Sequence, residues 1–108
     1  MIEVKYGQIP NEMFNNYLKY LVNKMFKVLP MKEQDVSSLH TYLQSLQIEL
    51  IGSTKLIEVL KNDSQFLSLM NTIQFFIDNE YDNQTCKREV FKCLHIIEDL
   101  QRKYFKEN

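Results

Sequence analysis

Glycine and proline are scarce in this chain, at two each in 108 residues. They are the residues that most cheaply interrupt a helix, so their scarcity argues for long helices and against a loop-rich fold. It also excludes the glycine-rich phosphate cradles. Gly7 and Gly52 lie far apart in the chain, and those signatures need several glycines close together. Cysteine is limited to Cys86 and Cys93, too far apart along one expected helix to bridge each other. They read as reduced thiols buried in a core, which places the chain in a reducing compartment, the cytoplasm. No apolar run approaches the roughly 20 residues needed to span a bilayer. Residues 1–6 lack the charged-then-apolar layout of a secretory signal.

An excess of one charge is missing as well. Thirteen lysines and arginines face 14 acidic residues, for a net charge of −1. Neutralising phosphates supplies most non-specific nucleic-acid affinity, so a basic excess is the usual mark of such binders. Here bases and acids alternate, as in Lys87, Arg88 and Glu89, and a solvated helix face is the simpler reading.

What is present is helical rhythm. The length and a 44% apolar content suit one globular domain over residues 1–108. Residues 1–9 alternate between apolar and charged positions, ending at Gly7, and predict an extended N-terminal arm packed on the rest. A first helix is expected over 11–29, stopped by Pro30, with Phe14, Leu18, Leu21, Met25 and Val28 on one face. Residues 31–36 read as a polar connection. A second helix is expected over 38–51, with Ser37 or Ser38 as its cap. Leu39, Leu43, Leu46 and Leu50 form its seam, and Gly52 stands at the C-terminal cap position. A short helix over 54–61 follows, then helices over 65–78 and 85–105. The fold class expected is all-α: a compact antiparallel bundle of four long helices and one short one.

Groups able to carry chemistry are few. Metal ligation needs soft or imidazole ligands at short, defined spacings, and no Cys-x-x-Cys, His-x-x-x-His or Glu-x-x-His occurs. The only thiol–imidazole combinations pair Cys86 or Cys93 with His40 or His95, and reactive thiols want exposed, electropositive surroundings that buried ones lack. Glu98 and Asp99 are adjacent on a helix and diverge. No catalytic, cofactor or metal site is expected, and the chain does not read as an enzyme. A helix-turn-helix-like nucleic-acid regulator is the alternative function, because the short helix, the turn at 62–64 and the next helix have suitable dimensions. Against it, no basic residue occurs between Asn62 and Thr85.

The informative residues are apolar ones that lie off the buried stripes. Ile48 falls about 180° from the Leu39 seam, and Phe75 about 180° from Phe66, at 100° per residue. Leu67 sits roughly 100° from Phe66, Phe91 and Ile96 flank the seam of the last helix, and Phe26 and Tyr20 widen that of the first. Several large apolar residues off the seams predict either doubly covered helices or an exposed patch for a partner. The expected function is therefore a non-enzymatic protein–protein interaction module: a small adaptor, inhibitor, immunity-type or regulatory subunit. Its interface candidates are Phe75, Leu67, Ile48, Phe26, Tyr20, Phe91 and Ile96, and its partner another protein or a second copy of itself, without membrane contact. In size and helical layout the chain resembles the immunity proteins that Gram-positive bacteria make against their own bacteriocins. It equally resembles small helical proteins of phages, toxin–antitoxin pairs and defence operons. No motif carries any of these likenesses.

Overall fold

Apolar residues three and four apart fall on one side of a helix, and each long helix buries such a stripe. The computed structural model describes residues 1–104. Its elements are strands β1 (Ile2–Val4) and β2 (Gly7–Ile9), then helices α1 (Asn11–Phe26), α2 (Val28–Glu33) and α3 (Leu39–Leu56). After these come α4 (Glu58–Lys61), α5 (Ser64–Asp78) and α6 (Asn83–Tyr104). Phe14, Leu18, Leu21 and Met25 of α1 meet Leu43, Leu46 and Leu50 of α3, with Phe66, Leu69, Ile73 and Phe76 of α5, in one core. Val90, Cys93, Leu94, Ile97 and Leu100 of α6 close it. Each fully buried Leu, Ile or Phe contributes about 1.5–3 kcal/mol of transfer free energy, which is what sets the helices face to face.

Cross-contacts fix the directions. Tyr17 meets Ser53 and Tyr20 meets Glu49, so α1 and α3 run antiparallel. Gln47 reaches Met70 and Gln74 across α3 and α5, Gln65 reaches Asp99 across α5 and α6, and Gln101 reaches Asn15 across α6 and α1. Asp63 also meets Lys103, Phe26 meets Phe91, Leu43 shares a hollow with Phe76, and Thr54 shares one with Leu67. Each pair is therefore antiparallel, and the four long helices form an up-down-up-down circuit.

Several boundaries differ from expectation. The first helix ends at Phe26 rather than 29, and Lys27, still helical in its dihedrals with its N–H bonded to the Asn23 carbonyl, joins it to α2. Pro30 then sits in the first turn of α2, where a missing N–H costs nothing. The expected polar connection is in large part this extra helix, which packs on α6 and buries Val28. Gly52 does not cap. α3 runs through it to Leu56, and the break falls at Ile57, whose backbone is extended. Ser53 and Thr54 do not start a helix either; their hydroxyls donate back to the carbonyls of Glu49 and Ile51 inside α3. The short helix is consequently only the single turn Glu58–Lys61.

Ser38 occupies the N-cap of α3 without a side-chain bond. The side-chain cap forms instead at Asp63, which accepts from the backbone N–H groups of Gln65 and Phe66 and starts α5 at Ser64. Asp82 likewise accepts from Thr85 N–H, so α6 begins at Asn83. Phe105, the expected last residue of that helix, lies outside the described residues.

The N-terminal arm packs on the bundle but doubles back as a hairpin. Ile2 pairs with Ile9 and Val4 with Gly7 around the two-residue turn Lys5–Tyr6. Gly7 has φ +149°, a conformation that favours glycine. The strand therefore finds its partner in the residues that follow it. On its other edge Val4 bridges Ile57, and Lys5 N–H donates to the Leu56 carbonyl at 2.7 Å, satisfying the end of α3.

Candidate interaction surface

Among the described residues no three His, Cys, Asp or Glu side chains converge on a point that could hold a metal ion. Cys86 and Cys93 are buried, whereas His40 and His95 are exposed, so the structure brings no thiol to an imidazole. Burial pushes the Cys93 thiol up to about 12, and that of Cys86 upward as well. No described helix is long and apolar enough to cross a membrane.

Two of the off-seam residues do meet. Phe26 ends α1 and Phe91 lies in the first half of α6. Antiparallel packing brings their rings to 6.3 Å between centroids, edge to face at 83°. Both remain open to water, at 49% and 39% of their full exposure. α2 packs on α6 and on α1 without covering Phe26. The pair lies at one end of a groove of about 780 Å³ between α1 and α6, which also holds Val22 and Leu94. Lys19 stands on one wall, with His95, Glu98 and Gln101 on the other. The His95 ring lies 3.5 Å from the Glu98 carboxylate. A smaller hollow of about 270 Å³ shares Phe91 and is bounded by Leu29, Lys32, Glu33 and Lys87. The apolar surface therefore runs on both sides of that ring.

The other candidates are dispersed. Leu67, 57% exposed, sits in a shallow hollow with Thr54, Leu60 and Met70. Phe75 packs on the Tyr81 ring at 6.4 Å. Ile48 is the most exposed of the set, at 71%. Ile96 is half-buried against the core, which is where the flank of a wide seam belongs. Tyr20 is engaged rather than free. Its hydroxyl donates to Glu49 at 2.9 Å, its ring stacks on Tyr17, and the Lys24 ammonium lies 5.4 Å from its ring centre.

The polar seams between helices are not apparent from apolar periodicity. One joins α1 to α3: the Tyr17 hydroxyl bonds Ser53, and burial pushes its pKa up to about 12. Another joins α5 to α6. The second oxygen of Asp63 accepts from Lys103 at 3.2 Å and from the Tyr104 hydroxyl at 3.1 Å. Burial alone would push this carboxyl up. The Phe66 N–H, Lys103 and Tyr104 outweigh that and hold it below its ordinary value. The third is Gln47, buried between α3 and α5. Its amide donates to the Met70 carbonyl and to Gln74, while its own oxygen has no partner among the described residues. Tyrosines three apart and a Glu–Ser pair four apart were the available signals for the first of these.

No family model matches the sequence, and neither a curated protein nor a solved structure shows significant similarity to it.

Proposed function

We propose that this chain is a non-enzymatic protein–protein interaction module, of the adaptor, inhibitor, immunity or regulatory-subunit kind, working in the cytoplasm through the groove between α1 and α6. One observation carries the reading: Phe26 and Phe91 form an edge-to-face pair at the end of a concave surface while keeping about half of their area in water. Aromatic anchors in a partly enclosed pocket are the side chains that dominate binding energy at protein interfaces. Covering what remains exposed of such a ring contributes about 1 kcal/mol from apolar transfer, roughly half the value for a fully exposed Phe. The groove walls run from Lys19 to Phe26 on α1 and from Phe91 to Gln101 on α6, roughly 10–15 Å at 1.5 Å per residue. Two or three turns of a partner helix would fill that length, in the helix-in-groove mode. The nucleic-acid alternative is set aside, since α4 is a single turn and residues 64–78 of α5 include no lysine or arginine.

The test is site-specific photo-crosslinking in the source cells, with a benzophenone amino acid replacing Phe91 and, as a control, Gln8 on the exposed hairpin. A discrete protein adduct from position 91 that is missing from position 8 is expected. An adduct of the chain with itself would identify the partner as a second copy. Equal adducts from both positions, or none from position 91, would refute the reading.

A further inference from the structure

We infer that the groove's occupant is an acidic amphipathic helix of a partner protein, an inference that rests on the interaction-module reading above. The near-zero net charge conceals a division of charge by element. Residues 19–33 hold four lysines against Glu33, and residues 87–95 hold Lys87, Arg88 and Lys92 against Glu89, together +5. Residues 34–86 hold two lysines against seven carboxylates, or −5. The fold gathers the two positive segments, because the second half of α1, α2 and the first half of α6 pack on one another. The negative segment builds α3, α4 and α5, the opposite half of the circuit.

The aromatic pair belongs to the positive half. Lys19 lines the groove, Lys87 and Lys32 line the hollow that shares Phe91, and Lys27 is exposed directly after Phe26. Glu89 is paired with Arg88 and Lys92, which leaves that trio a net +1 beside Lys87. Lys19, Lys32 and Lys87 outnumber Glu33 and Glu98 in these walls. An apolar floor with that positive margin is complementary to a helix with leucine or phenylalanine on one face and glutamate or aspartate flanking it. A nucleic-acid backbone fits less well. The half-exposed rings would gain nothing from a duplex, and a net charge of −1 offers little to a polyanion.

The experiment is selection from a displayed library of helical peptides, with leucine fixed at every third or fourth position and glutamate, lysine or glutamine allowed elsewhere. The bait is the full chain. Glutamate should be enriched over lysine by about tenfold at the polar positions, as expected for a few rim pairs acting together. The Lys19→Glu, Lys87→Glu double variant, altered only at exposed positions and checked for helical content, should reverse that preference. Phe91→Ala should remove binding whatever the peptide charge. Lysine-rich winners, indifference to peptide charge, or winners unaffected by Phe91→Ala would overturn the inference. So would an arm in which a 20-base-pair DNA duplex displaces the selected peptides. Photo-crosslinking at position 91 separates the two failures. An adduct on a basic or neutral segment sinks the charge assignment and leaves the module standing, whereas no adduct sinks both.

Discussion

Replacing Asp63 by alanine removes two structural connections at one position. Oδ1 caps α5 by accepting from the N–H groups of Gln65 and Phe66, and Oδ2 holds the end of α6 through Lys103 and Tyr104. Loss of a side-chain cap costs about 1 kcal/mol. Loss of the Tyr104 hydrogen bond costs about 1 kcal/mol more, and a stranded Phe66 N–H adds to both. The expected total is about 2–3 kcal/mol. Unfolding entropy of about 2.1 cal/mol/K per residue converts this into a fall in Tm of about 9–13 °C for a chain of 108 residues. Asp63→Asn keeps an oxygen for the cap and loses the charge, so its Tm should fall by only about 4 °C.

The pH dependence gives an independent check. The folded-state carboxyl titrates below its ordinary 3.8, so its contribution is complete above about pH 5 and lost as pH falls through the lowered value. Thermal melts of wild type and variant followed by circular dichroism should therefore differ by a constant amount from pH 5 to 8 and converge in more acidic buffer. A loss under about 0.5 kcal/mol, close to the ordinary scatter of surface substitutions, would refute this account of Asp63. A gap that widens in acid would refute it too.

Two other outcomes follow from the same physical reasoning. Gly52→Ala should raise stability by about 0.5–1 kcal/mol in the same melts, because Gly52 lies inside α3 and an added Cβ meets nothing within 4 Å. Had Gly52 ended the helix in a left-handed conformation, the substitution would destabilise. Cys86 and Cys93 should resist iodoacetamide at pH 8 in the folded protein and react together on unfolding, as read by mass spectrometry; both are buried, with thiols pushed upward, Cys93 to about 12.

The seams were legible because burial in a helix repeats with the same three-and-four spacing that the apolar residues show. Leu39, Leu43, Leu46 and Leu50 all lie in the core. Punctuation was harder to read, since a glycine or proline states only what the backbone tolerates. Gly52 is carried inside a helix anchored by Leu46 and Leu50, and Pro30 fits a first turn as readily as it ends a helix. Phe26 and Phe91 were each visible as off-seam residues. Their meeting depends on the antiparallel register of α1 and α6, which no local pattern encodes. Tyr20 had the opposite fate, because its apolar body qualified it while its hydroxyl found Glu49. The division of charge escaped a reading of totals, since the two halves nearly cancel.

The T-shaped contact of Phe14 with Tyr104, 5.8 Å between ring centres, joins the first helix to the last. A ribosome adding about 5–20 residues per second takes several seconds to travel between those two residues. For that interval the stripe of Phe14, Leu18, Leu21 and Met25 is without its largest partner and open to whatever apolar surface is nearby. The nascent chain is accordingly most open to aggregation until α6 has emerged.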